Sequence, residues 1–493
     1  MNDRRILLGI GLMVLSLFSA RAFAQKTLTL DDCLRIASAN APSLQQAKQN
    51  YQSAWLTAEA QSRSLLSTVD LTLQAPLYTD NATPVLNTTT GTYDLLKQRN
   101  LQLGGTLSIY QPIYWTGGAI SLSGTLYNQQ QGFQGTTQTD YVGIGSISLS
   151  QPLFKANELK LADREAQIAL TLSRANYRTQ WASLNYRIKS LFFGLYQAER
   201  ELQIQKDEVA SSDSAYQLAS NKFKAGLIAE VDALQLEVDL SAARTDLFDK
   251  ERILLSAKRN LLAALGMPMH EEVSAKVDSL EDVKTDVDGN LAVARALANR
   301  EDVLNAQYGI EREDIAIDRL DGQRSINASL TGSFGGSNSM PKIADLTQNP
   351  NINRGVTLSI NVPIFDWGAH SLRMDAAHAT LESDKISLKL VQDQVEEEVL
   401  SAIEQLKAAH NQADVAEKSV VVAQKAYDLS KLRFATGKIT SQDLSLAQQR
   451  LTKARFSALS AKVAEHLGLG DLTQKTLYDY ASGTAIELPA DSR

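Results

Sequence analysis

Two long stretches of this 493-residue chain repeat one another at a fixed distance, and no other feature limits its fold as tightly. Pro152-Leu153-Phe154 recurs as Pro363-Ile364-Phe365, an offset of 211. Without a gap, the same offset pairs Ala166 with Ala377, Leu195 with Leu406, and Ala215-Tyr216 with Ala426-Tyr427. It continues through Phe223 with Phe434, Gly226 with Gly437, Asp232 with Asp443, and Ala243-Arg244 with Ala454-Arg455. Insertions collect in loops, so about a hundred residues matching without one predict duplicated, continuous helix. Upstream the offset becomes 259, with Ala47 falling on Ala306 and Leu71 on Leu330. The difference, 259 − 211 = 48, places a 48-residue insertion in the first copy between about residues 75 and 140.

Inside the first copy, Leu184, Ile188, Leu191, Leu195, Ala198, Leu202, Gln205, Val209, Ser212, Tyr216, Ala219 and Phe223 alternate spacings of four and three. Ten of the twelve are apolar, and the register shifted by 211, Val395 to Phe434, has eleven. A 3.5-residue period held this long predicts a coiled-coil seam. Return seams run from Ala233 to Ala264, before Gly266 and Pro268 stop the helix, and from Leu444 to Ala461. Each repeat therefore reads as an antiparallel helical hairpin turned at Gly226 or Gly437. Residues 157–225 alone would span roughly 100 Å at ~1.5 Å per residue. Ten prolines in 493 residues suit such helices.

Between the helices lie stretches of strict alternation. Val69, Leu71, Leu73, Ala75 and Leu77 form one, and Leu101, Leu103, Leu107 and Ile109 another. Ile120, Leu122 and Leu126 form a third. In the second repeat, Ile326, Ala328, Leu330 and Phe334, then Val356 to Ile364, do the same. Ile147, Leu149 and Leu153 follow a phase slip at Gly145-Ser146 that predicts a bulge. The interleaved residues are mostly Ser, Thr, Asn and Gln, and each stretch runs about ten residues, the length a tilted strand needs to cross a bilayer. Tyr114, Trp115, Phe154, Phe365 and Trp367 gather where strands meet helices, as an interfacial aromatic girdle would.

The first 24 residues read as a secretory leader: Arg4-Arg5, an apolar run from Ile6 to Ala20, then Ala22-Phe23-Ala24. No later segment offers about 20 consecutive apolar residues, which excludes a transmembrane helix but leaves a β-barrel open. One cysteine, Cys33, excludes a disulfide framework, and five histidines leave little material for catalysis or metal binding. His370 and His378 are eight apart, off the i, i+4 spacing of a ligand pair. A net charge of −7 argues against nucleic acid as a partner. No enzyme activity, cofactor or metal is expected.

Leader, duplicated strand–helix–helix units and alternating strands together resemble the TolC-like outer-membrane efflux proteins, across the mature chain from Leu28-Thr29-Leu30-Asp31-Asp32 to about Leu472. Ser150-Gln151-Pro152-Leu153-Phe154 and Val362-Pro363-Ile364-Phe365-Asp366-Trp367-Gly368 look like that family's strand-to-helix junctions. Lys222-Phe223-Lys224-Ala225-Gly226-Leu227 and Arg433-Phe434-Ala435-Thr436-Gly437 look like its periplasmic turns. The resemblance implies an α+β membrane protein. A homotrimer would form a β-barrel in the outer membrane continuous with a periplasmic α-helical coiled-coil barrel. It would be the passive conduit of a tripartite efflux system, with a periplasmic adaptor protein and an inner-membrane transporter as partners and the lipid bilayer around it. The exit duct of type I protein secretion is the alternative; a soluble periplasmic coiled-coil scaffold is a lesser one.

The expected organisation follows. Residues 1–24 are the leader and 25–265 the first repeat, with strands about 68–77, 100–113, 119–128 and 141–154 and a helical hairpin about 157–265. A connector covers 266–288. The second repeat, 289–476, has strands about 326–335 and 355–365 and a hairpin about 367–468, followed by a tail, 477–493. The insertion adds two strands around the turn Tyr114–Gly118. If these join the wall a trimer has 18 strands; otherwise they form a surface hairpin and 12 remain. Asp232 and Asp443 would form an acidic constriction at the periplasmic entrance, although Thr440-x-x-Asp443 also fits a capping box. Gly226, Leu227, Gly437, Lys438 and Ile439 would form the adaptor-contacting turns, with Leu227 and Ile439 expected to lack core partners.

Overall fold

The computed structural model describes residues 26–86, 89, 91–133, 136–277, 280, 283, 285–324 and 327–488. The expected leader and its cleavage site lie outside them, as do parts of the connector, residue 326 and the end of the tail. The order is β1 (Lys26–Leu28), α1 (Leu30–Asn40), α2 (Pro42–Arg63), β2 (Thr68–Leu86), β3 (Tyr93–Ile113), β4 (Gly118–Phe133) and β5 (Thr136–Leu153). Then come α3 (Glu158–Lys224), α4 (Glu230–Leu265), β6 (Val273–Ala275), α5 (Gly289–Asn299), α6 (Glu301–Arg324), β7 (Asn327–Met340) and β8 (Asn351–Asn361). The chain ends with α7 (Ala369–Ala435), α8 (Ser441–Thr476), β9 (Tyr478–Asp479) and β10 (Thr484–Ala485).

The duplication holds to the residue. Helices α3 and α7 are 67 residues each and start 211 apart, and so do the 36-residue α4 and α8. Upstream, the 11-residue α1 and α5 start 259 apart. The chain divides into two compact units. One comprises residues up to Gln49, Arg174–Leu304 and Val391 onward; the other comprises Asn50–Ser173 and Asn305–Leu390.

The first unit is helical. Its seams run through the core: Ile188, Leu195, Ala219, Val399 and Leu406 are all at 0% exposure, while positions such as Leu202, Val209 and Val420 are half-buried. The two polar interruptions are buried with them and hydrogen-bonded: Gln205 Nε2 donates to the Ala243 carbonyl at 3.0 Å, and Ser212 Oγ accepts from Gln448 Nε2 at 2.7 Å. Phe223 departs from the expected seam at 40% exposure, whereas its repeat mate Phe434 is at 2%. Helix α8 runs to Thr476, eight residues past the expected end. Gly468 and Gly470 lie inside this last stretch and serve close packing: a Cβ at Gly468 would meet Leu406 at 3.3 Å and one at Gly470 would meet Lys189 at 3.1 Å.

The second unit holds one antiparallel sheet of order β2-β3-β4-β5-β7-β8. The insertion strands β3 and β4 are its second and third members. Several strands outrun their alternating cores. β2 continues past Gln74 through a register shift before Leu77, and that, rather than Gly145-Ser146, is where a bulge occurs. Pairing is unbroken from Gly143 to Ser148, so the expected bulge there is absent and Ile144 simply faces the other side. β8 spans Asn351–Asn361, four residues short of the expected 365. Its neighbour β7 begins opposite Asn361 at Asn327, so residues 362–365 face no described ladder partner, and Pro363 has no N–H to offer.

Candidate functional site

Directly opposed residues of a sheet share a face. One row reads Val69, Ile109, Leu122, Ile147, Phe334 and Arg354; the row beside it reads Asp70, Ser108, Ser123, Ser146, Gly335 and Asn353. The polar face is knitted by hydroxyls. Ser121 and Ser148 are 2.6 Å apart, Ser123 and Ser146 2.8 Å, and Thr106 and Thr125 3.0 Å. The apolar face is open, with Leu71 at 65%, Val356 at 80% and Ile360 at 58% exposure. In water such a face would be a large sticky patch; against hydrocarbon it is the stable arrangement.

The aromatic residues stand just beyond the strand ends. Phe365 and Trp367 meet edge-to-face at 4.7 Å, and Tyr114 and Trp115 at 5.5 Å. Trp115, Phe154, Phe365 and Trp367 are exposed, whereas Tyr114 is half-buried, its hydroxyl donating to Asp163 Oδ2 at 3.2 Å. Phe154 and Trp367 adopt φ of 63° and 59°, a left-handed conformation that non-glycine residues rarely hold. That strain turns the chain out of each strand and into its long helix.

In the first unit, the two helical turns share one design. Gly226 has φ 71° and Gly437 φ 74°. Leu227 N–H donates to the Lys222 carbonyl and Lys438 N–H to the Arg433 carbonyl, both at 2.9 Å, as in a Schellman motif. A Cβ at either glycine would meet nothing within 4 Å, so the requirement is the positive φ alone. Leu227 and Lys438 are the equivalent exposed tips. Ile439, expected to lack a core partner, packs with its own repeat mate Ile228 against the cluster of Ala219, Leu236, Tyr427, Phe434 and Leu444. The offset of 211 pairs Leu227 with Lys438, which a comparison of Leu227 with Ile439 obscures.

The two acids have diverged. Asp443 sits at the third position of α8 in a capping box. Its carboxylate accepts from Thr440 N–H at 3.1 Å and from the Thr440 hydroxyl at 2.8 Å. Those hydrogen bonds hold its carboxyl below the usual range. In the first repeat Ala229 occupies the cap position, and its methyl group makes no cap hydrogen bond. Asp232 instead reaches across to the second hairpin, accepting from Ser441 Oγ at 2.7 Å, with Ser441 itself 3% exposed. A second tether lies nearby: the Lys222 ammonium donates to the Phe434 carbonyl and lies 4.8 Å over its ring. Farther along α3, burial pushes the Glu208 carboxyl up, although it accepts from Gln448 Nε2 at 2.9 Å and from Thr452. Sequence reasoning missed Ser441, the contact of Lys222 with Phe434 and this polar layer; the seam breaks at Gln205 and Ser212 were the layer's one visible trace.

With this geometry in place, the comparisons are concordant. The outer membrane efflux protein profile matches residues 33–267 and 292–465. Outer membrane efflux protein BepC of Brucella suis is 22% identical over 330 residues, 66% of this chain and 71% of that protein. The Campylobacter jejuni CmeC outer membrane channel superposes with TM-score 0.65 at 15% identity, covering 94% of this chain and 87% of that one. The outer membrane protein VceC of Vibrio cholerae gives TM-score 0.66 at 14% identity, covering 93% and 97%. The chain belongs to the outer membrane efflux protein family: it is an outer-membrane efflux channel with a periplasmic helical part, of the kind that works with an adaptor and an inner-membrane pump.

Proposed function

We propose that three copies of this chain close into one conduit, with an 18-stranded barrel (6 × 3) in the outer membrane and a periplasmic barrel of twelve long helices (4 × 3). The sheet supplies the observation that carries this. Among the described residues, its end strands β2 and β8 each have one neighbour and one open edge. Unpaired backbone groups cannot remain in hydrocarbon, and six strands are too few to enclose a pore. With six alternating strands, β2 and β8 run in opposite directions, so β8 of one copy meets β2 of the next as an antiparallel pair until a ring closes.

The register supports a barrel. Thr68, the first residue of β2, lies in the row of Gly355, which is 361 − 355 = 6 residues from the end of β8. Six residues at ~3.3 Å across five strand spacings of ~4.8 Å give a tilt of about 40°, within the range of closed barrels. The helices carry a matching signature. Besides its buried seam, α4 exposes Val231, Leu234, Val238, Phe248 and Leu255 at heptad spacings, and α7 exposes Val415, Val422, Leu429 and Leu432. A helix with apolar seams on two faces suits a neighbour on each side.

At the entrance, Gly226 and Gly437 shape the turns, Leu227 and Lys438 are the tips offered to an adaptor hairpin, and Ile439 braces them from within. Threefold symmetry turns Asp232 and Asp443 each into a ring of three carboxylates, which favours cations over anions. Trp115, Phe154, Phe365 and Trp367 seat the barrel at the periplasmic face of the bilayer. The test is a set of paired cysteines along the outer edges of β2 (68–78) and β8 (351–361), oxidised in native membranes. A ladder of crosslinked dimers and trimers is the expected result. Monomer at every pair, or monomer alone by native mass spectrometry in detergent, refutes the reading.

A further inference from the structure

Resting on that barrel reading, we infer that Arg354 marks a binding site for a phosphorylated lipid of the outer leaflet on the lipid-facing side of the wall. Arg354 lies in the row of Val69, Ile109, Leu122, Ile147 and Phe334, the face that a membrane barrel turns to hydrocarbon. Its flanking residues on that face of β8 are Ile352 and Val356, 47% and 80% exposed. The guanidinium is exposed and, among the described residues, has no ion-pair or hydrogen-bond partner. The next row up is Gly124, Gly145 and Gly336 before Ile352, so bare backbone, with no bulky side chain, adjoins Phe334 there.

Height decides which leaflet. Arg354 is 361 − 354 = 7 residues from the periplasmic end of β8, beyond which stand Phe365 and Trp367. Seven residues at ~3.3 Å and a 40° tilt place it about 18 Å above that end, in an apolar band ~25 Å tall. An extended arginine covers the remaining distance, so its charge snorkels to the outer headgroups and not to the periplasmic ones. A guanidinium whose stem lies in acyl chains offers forked donors that match a phosphate. The acids of β2, the strand at the sheet's other edge, offer no competing anion: Asp70 lies on the opposite face, and Asp80 is already paired with Arg99 at 3.2 Å.

The test uses the full-length trimer in phosphatidylcholine nanodiscs doped with bisphosphorylated lipid A, read by native mass spectrometry. Wild type is expected to retain up to one lipid A per chain. Arg354→Gln should lower that retention roughly tenfold and Arg354→Lys less, since lysine keeps the charge but not the fork. Inorganic phosphate in excess should leave the lipid in place; displacement by phosphate would assign the site to a free anion and overturn the proposal. A normal trimer that retains lipid A equally in wild type and Arg354→Gln overturns it alone. A wild-type chain that stays monomeric in the same nanodiscs overturns the barrel reading, and this site with it.

Discussion

Ser441→Ala removes one oxygen from a position 3% exposed and leaves the half-buried Asp232 carboxylate without its cross-hairpin donor. No cavity large enough to matter is created, so the loss is that of one hydrogen bond to a charged acceptor. Because Asp232 can recover part of it from water, about 1 kcal/mol per chain is the appropriate magnitude. If the three tips of a trimer part together, the losses sum to about 3 kcal/mol and shift the ratio of tethered to parted tips by roughly two decades. The Lys222–Phe434 tether remains, so the tips should part without the helices unfolding. In planar bilayers the variant is expected to show higher single-channel conductance or frequent transitions to larger openings, with unchanged trimer yield. Thr440→Ala is the control: it breaks the capping box on the same helix but not the cross-hairpin bond, so it should leave conductance alone. Ser441→Ala with wild-type conductance, or Thr440→Ala opening the channel equally, refutes the tether.

The remaining expectations are narrower. Glu208 has its pKa raised by burial, so ionising it opposes packing; stability is lost as pH rises from the ordinary carboxylate value through the raised one. Glu208→Gln, which can still accept from Gln448 and donate to Thr452, should therefore be more stable than wild type at pH 7.5 by about 1 kcal/mol and flatten this dependence; thermal melts followed by circular dichroism at pH 5.5 and 7.5 would expose the opposite order. Gly437→Ala should destabilise by about 1–2 kcal/mol through its positive φ alone, with Gly437→Asn milder, and equal urea midpoints for wild type and Gly437→Ala would contradict this. Deleting residues 100–128 takes out most of two interior strands and should abolish trimer assembly; normal yield would mean they are dispensable to the wall. Export with cleavage after Ala24 is checked by intact mass, where retained Met1 is the contrary result.

Periodicity made the helices legible, because a seam must recur every 3.5 residues whatever it packs against. The offset of 211 located both turns, since glycine recurs where the backbone needs positive φ. Strand cores were legible for the same reason: a wall with hydrocarbon on one side alternates on its own. The strand ends were not, because residues such as Thr79 to Leu86 hold strand geometry only through a neighbour's ladder, and β8 stops where β7 begins. The acids divide along the same line. Thr440 and Asp443 lie three residues apart in sequence, so their cap could be read locally. Asp232 and Ser441 are 209 residues apart, and nothing local distinguishes a free carboxylate from a bridging one. That this chain duplicates a strand-and-hairpin unit is written in its residues, because periodicity and repetition are properties of the chain. Which strands are neighbours, that Arg354 shares a row with Phe334, and that Asp232 bridges two hairpins emerge with folding alone, because contacts between distant residues depend on register and register is set by packing.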